Sequence, residues 1–424
     1  MAKSRSKLII AGIILLILLV AAGLFVWWPA YQRRDTVTRA VGETQFESKR
    51  SSGRPSESER KRRFDWEKFY ESLLARHPEL AVEYKEVPDH QNGFLQLIEF
   101  EKRWKDDNGN LRGLPEDILA MIRGGKPCDP RRVELWLADN QALLSEIQAI
   151  GLMPDQSAKG VEHPNPAMGV SSMLLSQCAG LLELQARLQA ERGSSSEALA
   201  SLQAVMGLAN HLDQIETPNM MQETMALLLR MRSSRYFFDE LLPHLASGDQ
   251  ELMAWERVIV GQSPGPSEFG RILRGEWHTG VRYLLPLSLP GGEVPPDLDR
   301  FGDAWANLVA RRVQACESAT VGSLWQAIDA VQANGEGLSP QSGAILKLIN
   351  EGSSTWPKGW IRCQLLDAQQ QAAFAHLLGE PLPNEPITGK PFVWDEATQS
   401  ILFPEDERLA QIELKPLVVR RFTN

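Results

Sequence analysis

Residues 181–212 read LLELQARLQAERGSSSEALASLQAVMGLANHL, and this stretch decides the fold class. Apolar side chains recur at helical spacing on both sides of a turn-forming segment around Gly193. Ser194 and Glu197 have the spacing of a capping box, which opens a helix. Small side chains in both halves allow close approach. We therefore predict two helices packed against each other across a tight turn.

The same periodicity runs along most of the chain from residue 64 onward. The first amphipathic pattern is FDWEKFYESLLARHPEL, and Thr217 followed by Pro218 predicts another helix start. Further helical patterns cover 94–105, 115–123, 130–150, 168–192, 195–211, 218–242, 249–260, 267–285, 300–316, 321–333, 340–350 and 360–378. Short β-like runs occur only near the end, PFVW and SILF joined by DEATQ. The sequence predicts a mainly α protein, with an α-helical array and a short C-terminal β-hairpin.

Residues 8–28, LIIAGIILLILLVAAGLFVWW, contain no charged side chain. A helix of that length spans about 30 Å, which matches the hydrocarbon core of a bilayer. Basic residues precede the run, and Trp27 and Trp28 at its end, with Tyr31 just after it, stand where interfacial anchors are expected. A cleaved signal peptide is the alternative, but the run exceeds the usual apolar region of about 7–15 residues. We expect an N-terminal transmembrane helix that contacts membrane lipid.

Charge is distributed unevenly along the chain. Residues 33–63 hold ten Lys and Arg against five acidic residues, and the first seven residues add three more basic side chains. The whole chain carries −9, so the part from residue 64 onward carries −17. An acidic body argues against nucleic acid as a partner, because phosphate contacts require Lys and Arg. Three basic residues lie close to the membrane on each side, so their count is balanced, and the short tail with the amino terminus favours an orientation with the body on the extracytoplasmic side.

These observations divide the chain into five predicted regions. They are a basic N-terminal tail (1–7), a transmembrane helix (8–28), a basic flexible stalk (29–63), an α-helical domain (64–378), and a Pro-rich turn with β-hairpin and C-terminal tail (379–424).

Residues 383–394, PNEPITGKPFVW, place a lysine after a glycine in a turn-rich stretch. A phosphate-binding loop would need a glycine where Asn384 stands and a hydroxyl residue where Pro391 stands. Proline donates no hydrogen bond, and a β-run rather than a helix follows. The pattern instead predicts a proline-framed turn in which Gly389 supplies the permissive backbone.

Two resemblances follow from these motifs. The tail resembles the Asp-Pro-Phe-x-Gly-Lys-Pro-Leu tail of uncharacterised bacterial single-pass envelope proteins with a helical body, although Glu385 and Ile387 depart from it. That resemblance implies an architecture and no activity. Residues 181–212 resemble one tetratricopeptide hairpin, but no second copy follows 34 residues later. Ordinary helix packing accounts for the same residues equally well.

GQSPG at 261–265 has the form G-x-S-x-G, which presents a nucleophilic serine in hydrolases. Ser263 would then require partners, for which Asp297 or Asp303 together with His376 are the candidates. However, Pro264 cannot donate the N–H that an oxyanion hole needs. The default interpretation is a loop between helices.

DDNGNLRGLPED at 106–117 partly matches a calcium-binding loop. Asp106, Asn108, Asn110 and Asp117 fall at positions 1, 3, 5 and 12 of an EF-hand-like loop. The glycine expected at position 6 is Leu111, and the bidentate glutamate is replaced by the shorter Asp117. Calcium binding and an ordinary Asn-Gly turn both remain open at this point.

The four cysteines and twelve tryptophans carry no metal or cofactor motif. Cys128, Cys178, Cys316 and Cys363 lie far apart, so two disulfides and four buried thiols are both open, with buried thiols favoured. The tryptophans recur at helix positions, where core anchors are expected. A surface for an aromatic ligand or glycan is the alternative.

The sequence favours no catalytic, cofactor-binding or metal-binding residue strongly enough to assign one. The leading hypothesis is a membrane-anchored helical protein of the cell envelope that acts as a binding or structural component, with an unidentified protein partner. The alternatives are an envelope serine hydrolase using Ser263 and a solute- or glycan-binding domain using exposed tryptophans.

Overall fold

A computed structural model describes residues 64–124, 128–160, 170–245, 248–260, 265–288, 294–410, 412 and 414–419. This part of the chain is mainly helical with a small C-terminal sheet, which confirms the predicted mainly α character of the body. No helix among these residues combines the length and the apolar character needed to cross a membrane. The predicted transmembrane run at 8–28 and the basic stalk lie outside the described residues.

The helices follow one another as the periodicity predicted, and three short strands lie at the end. The helices are α1 (Trp66–Arg76), α2 (Gly93–Trp104), α3 (Glu116–Ile122), α4 (Pro130–Asp139), α5 (Gln141–Gly151), α6 (Ser172–Glu191), α7 (Ser195–Asp213), α8 (Met220–Tyr236), α9 (Asp249–Ile259), α10 (Pro266–Thr279), α11 (Leu285–Ser288), α12 (Leu298–Glu317), α13 (Leu324–Asp329), α14 (Pro340–Leu377) and α15 (Glu407–Ala410). The strands are β1 (Val393–Asp395), β2 (Ser400–Leu402) and β3 (Leu417–Val418).

Helices α6 and α7 form the predicted hairpin. Gly193 adopts a φ of 76°, which a residue with a Cβ rarely tolerates, and its N–H donates to the Ala190 carbonyl at 2.9 Å. The N–H of Ser194 donates to the Gln189 carbonyl at 2.8 Å, which completes a Schellman motif. The predicted capping box is wrong, because the side chain of Ser194 makes no capping hydrogen bond. The start of α8 also differs from the prediction, with Asn219 rather than Thr217 as its cap.

The predicted helix over 130–150 is two helices, α4 and α5, which meet at Asn140. The Asn140 side chain donates to the Trp136 carbonyl at 2.8 Å and so competes with the backbone for that acceptor. Two other predicted helices change geometry near their ends. Residues 237–241 and 280–284 form π turns, the first continuing α8 and the second joining α10 to α11.

Helix α14 joins two predicted helices, 340–350 and 360–378, into one helix of 38 residues. Pro357 lies inside it and removes one backbone donor. The buried Arg312 on α12 lies against this region, donating to the Asn350 side chain at 2.9 Å and to the Ser353 hydroxyl. The helix also buries Leu346 and Trp360, on either side of the proline, in one core. Packing therefore holds the helix together across the proline.

The C-terminal sheet has three antiparallel strands in the order β1, β2, β3. Val393 is paired with Leu402, as expected for the predicted hairpin, but β3 was not predicted and pairs Val418 with Ser400. The buried side chain of Gln369 on α14 donates to the Ile401 carbonyl at 2.8 Å and thereby fixes the sheet to the helical body.

The PITGKP segment forms a compact turn closed by Glu385. This side chain is fully buried and accepts from the N–H groups of Ile387 at 2.6 Å and Thr388 at 2.7 Å. Gly389 adopts a φ of 71°, and Lys390 donates to the Glu405 carbonyl at 2.9 Å. The lysine therefore serves the turn, in line with the structural interpretation of this motif.

Three apolar clusters form the interior of the part of the chain that the structure describes. The first joins α1, α10, α12, α13 and α14, the second joins α2 through α8, and the third joins α6, α7, the 237–241 turn, α9, the end of α14 and the sheet. Helix α8 contributes Leu227 to the first cluster and Leu229 to the second, and its π turn contributes Phe237 to the third. It therefore lies where the three clusters meet.

Candidate functional site at the α7–α8 junction

The connection between α7 and α8 brings three charged side chains into the interior. Helix α7 ends at Asp213, and α8 begins after Asn219. The Asn219 side chain accepts from the N–H of Gln222, and the Gln222 side chain accepts from the N–H of Asn219, both at 2.9 Å. This capping box fixes the first turn of α8. Glu223 and Arg230, seven residues apart, then lie on one face of the helix.

Arg230 and Asp213 form a buried, two-pronged ion pair. Nη1 of Arg230 is 2.5 Å from Oδ2 of Asp213, and Nη2 is 2.9 Å from Oδ1. Nη2 also donates to the Asn210 side chain at 2.8 Å. Only 5% of the Arg230 side chain and 2% of the Asp213 side chain are exposed. Burial opposes the positive charge, but the Asp213 carboxylate outweighs it and raises the pKa of Arg230 above its ordinary value.

Glu223 lies beside this pair without a hydrogen bond of its own. The residue is 1% exposed, and neither carboxylate oxygen accepts a hydrogen bond from any residue that the structure describes. Burial disfavours the charged form, and the nearby Asp213 carboxylate repels it. Together they raise the pKa of Glu223 to about 8.

The two arginines that attract the Glu223 carboxylate, Arg230 and Arg271, are engaged by other acceptors. Arg230 is bound to Asp213, as described above. Nε of Arg271 donates to Glu268 at 2.7 Å, and its Nη1 donates to the Ile215 carbonyl at 2.5 Å. Both cations attract the Glu223 carboxylate over a distance, but this attraction does not offset its burial.

A narrow cleft opens beside Arg230, between α8, α9 and α14. Its polar lining comes from Arg230, Ser234, Asp367 and Gln370, and its empty space is about 270 Å³ when the open mouth is included. The enclosed part admits about one water molecule. Cys363 also lines the cleft, but burial raises the pKa of its thiol to about 12. The arrangement suits proton or water binding better than covalent chemistry.

Two other pairs of buried polar side chains link helices of the body. The hydroxyl of Tyr70 donates to Nδ1 of His278 at 2.7 Å, and Nε2 of His278 donates to the Leu80 carbonyl at 2.9 Å. Burial lowers the pKa of His278 to about 4, so the ring is neutral near pH 7. Nη2 of Arg232 on α8 lies 2.6 Å from the carboxylate of Glu183 on α6, so these two side chains form an ion pair. These pairs hold helices together.

The residues considered for serine hydrolysis have separate partners. Ser263 lies outside the described residues. Asp297 accepts from the backbone and hydroxyl of Ser339 at 2.6 and 3.0 Å, so it fixes the start of α14. Asp303 pairs with Arg76 at 2.8 Å on α1, whereas His376 stacks on Trp394 with the ring centres 3.7 Å apart. A catalytic triad would require these side chains to bind one another.

The residues considered for calcium binding hold a turn together. Oδ1 of Asp106 accepts from the N–H groups of Asn108 at 2.9 Å and Asn110 at 2.8 Å. Asp117 pairs with Arg132 at 2.8 Å. In the described part of the chain, no group of three His, Cys, Asp or Glu side chains is placed to hold a metal ion.

A second arginine also disfavours a cation at this loop. Oδ1 of Asn110 accepts from Arg123 and from Gln177, each at 2.8 Å. The arginines on Asn110 and Asp117 thus place positive charge where calcium would require negative charge.

All four cysteines are free thiols, which excludes the two-disulfide alternative for this structure. Cys178, Cys316 and Cys363 are buried, and burial raises the pKa of each thiol to about 12. Cys128 is half-buried and donates to the Asp117 carboxylate at 3.2 Å.

We expect a maleimide to modify one thiol of the folded chain rapidly and four after unfolding. Cys128 is the thiol with solvent access among the four, and a buried thiol reacts only when the structure opens. Mass spectrometry after timed labelling measures the difference, and Cys128→Ser should abolish the rapid phase. Rapid labelling of Cys178 in the folded chain would contradict the packing of α6.

The described tryptophans are core or boundary residues. Trp255, Trp277, Trp305 and Trp360 are buried, and the half-buried ones are Trp66, Trp104, Trp136, Trp325, Trp356 and Trp394. Within the described ranges no tryptophan is exposed. They agree with the prediction of core anchors and give the glycan-binding alternative no support.

The charged group at α8 was not predicted from the sequence. A signal was present, because Glu223, Leu227 and Arg230 share a helical stripe in a helix with few other charges. Asp213 is distant from that stripe until the chain folds. Comparison with known proteins adds no further guide: no family model, curated protein or solved structure matches this chain.

Proposed function

We propose that this chain is a single-pass membrane protein of the cell envelope whose helical body acts as a binding or structural component. The observation that carries the proposal is the uncharged run at 8–28, joined through a basic segment to a helical domain that begins at α1. The acidic body stands on the extracytoplasmic side, and a protein partner with a basic surface suits its charge.

The packing of the body supports a structural role. Arg230 and Asp213 bind each other in the interior, as do Arg232 and Glu183, and the side chains considered for hydrolysis serve separate contacts. Helical arrays present long continuous surfaces on which partners bind. The proposal therefore assigns binding to the surface of the array and stability to its polar interior.

The membrane anchor predicts a clear effect of charge at its centre. With Leu16→Arg and Leu19→Arg together, we expect the chain to move from the alkali-washed membrane pellet to the soluble fraction. Each arginine at the centre of a membrane helix costs about 2.5–3.5 kcal/mol. The matched control is Leu135→Arg with Leu152→Arg, since these leucines are 58% and 42% exposed on the helical body. A wild-type chain that is soluble after the alkaline wash would refute the anchor.

Orientation and partner binding can be tested on the same chain. In spheroplasts, a membrane-impermeant maleimide should label Cys128 if the body lies outside, and protection until lysis would place it inside. Crosslinking in intact cells should give a specific product with the full chain. A detergent-solubilised chain that stays a monomer and gives no crosslinked product would contradict the binding role.

A further inference from the structure

Glu223 stands where the first and second apolar clusters of the body meet. It lies one helical turn before Leu227, which belongs to the first cluster, and its neighbours on α8 belong to the second. A change in the volume or charge of this position acts on the contacts of α8 with its surroundings. Such a position can control whether the helices remain packed.

The charged and titratable groups that interact with Glu223 lie on four helices. They are Asp213 on α7, Arg230 on α8, Glu268 and Arg271 on α10, and Cys363 on α14. The arginines are bound to other acceptors, and Asp213 repels a second negative charge. A charged Glu223 would thus remain buried without a donor among the described residues, which is costly.

We propose that Glu223 is a proton-operated latch for the body. With its carboxyl group protonated, α7, α8, α10 and α14 pack around it. Loss of the proton leaves a second buried negative charge beside Asp213, and the junction opens to admit water. This inference concerns the helical body and does not rest on the proposed membrane role.

The direction of the pH dependence follows from the two protonation states. The folded chain holds the Glu223 proton up to about pH 8, whereas an unfolded glutamate releases it near its ordinary value of about 4.3. The stabilisation is therefore complete below the unfolded pKa and is lost as the pH rises through the folded pKa. Between these values, the folded chain binds one more proton than the unfolded chain. The folding equilibrium constant therefore falls about tenfold for each unit by which the pH rises.

The first test compares wild type with Glu223→Gln, using the full chain in detergent and urea unfolding from pH 5 to 9.5. Glutamine has a similar shape and no charge, so this variant should lose the tenfold change per pH unit. Glu71→Gln on α1 is the matched control, because Glu71 is exposed, and it should keep the wild-type profile. Identical profiles for wild type and Glu223→Gln would overturn the proposal.

The second test needs no substitution at Glu223. The test uses a Cys128→Ser chain, which lacks the half-buried thiol. Cys363 lies at the junction in the first cluster, whereas Cys178 lies in the second cluster on α6. Burial raises the pKa of both thiols to about 12, and a charged Glu223 further opposes the Cys363 thiolate, so a rise in pH does not favour the intrinsic reactivity of Cys363 over that of Cys178. We expect the ratio of the Cys363 to the Cys178 labelling rate to rise at least about tenfold from pH 6.5 to 9.5. A constant ratio would overturn the latch.

Discussion

Replacing Arg230 with methionine is expected to lower the free energy of unfolding by about 3–5 kcal/mol. Methionine fills similar space but leaves the Asp213 carboxylate buried without its two-pronged partner. Asn210 also loses a donor. Urea unfolding of the full chain in detergent, monitored by tryptophan fluorescence, measures the loss.

Two further variants separate this ion pair from ordinary surface charge. Arg235 lies five residues further along α8, is 73% exposed and pairs with Asp239 at 3.2 Å. Arg235→Met should therefore change the stability by no more than about 0.5 kcal/mol. The double variant Arg230→Met with Asp213→Leu should recover most of the loss, because it removes both buried charges. Equal effects of Arg230→Met and Arg235→Met would show that Arg230 is not buried in solution.

Local patterns predicted most of the helices because apolar side chains recur in them at helical spacing. The α6–α7 hairpin depends on a turn at Gly193 and on apolar side chains close in sequence, so a local pattern contains the necessary information. The choice of caps was less accurate. Ser194 and Glu197 have the spacing of a capping box. However, the N–H of Ser194 belongs to the preceding Schellman motif, and the Ser194 side chain makes no capping hydrogen bond.

Long-range contacts explain the errors elsewhere. The sequence pattern predicted two separate helices, 340–350 and 360–378, but the buried faces on both sides of Pro357 pack into one core and Arg312 binds the adjoining turn. Strand β3 consists of Leu417 and Val418 alone, a pattern too short to predict, and it forms because β2 offers an edge. The residues next to Pro357 and Leu417 in the sequence do not indicate which distant parts of the chain pack or pair with them.

The charged group at the α7–α8 junction shows the same limit for the site. In ETMALLLRMR the acidic and basic residues are those of a surface helix with a solvated stripe. Their burial depends on α10 and α14, which follow much later in the chain. Glu223 becomes chemically unusual only when Asp213 is beside it and both nearby arginines have other acceptors.

The close contact between α5 and α7 predicts that one alanine will be strongly destabilising. A Cβ at Gly207 would lie 1.7 Å from the carbonyl oxygen of Gly151, which is backbone and cannot rotate away. We expect Gly207→Ala to cost at least about 3 kcal/mol, even though alanine favours a helix by about 1 kcal/mol over glycine. Gly359→Ala on α14 is the matched control, because a Cβ there meets no atom within 4 Å.

The two substitutions should have opposite signs under the same urea unfolding assay. Gly359→Ala should stabilise by about 0.5–1 kcal/mol, since only the helix preference acts there. Gly151→Ala should repeat the loss seen at Gly207, because its Cβ would lie 2.2 Å from the Ala204 carbonyl oxygen. If Gly207→Ala instead stabilises as Gly359→Ala does, then α5 and α7 are separated in solution and the second cluster is not packed as described. Helix preference favours alanine at all three glycines. If only the Gly207 and Gly151 variants lower the free energy of unfolding, the cause is therefore the backbone contact between α5 and α7.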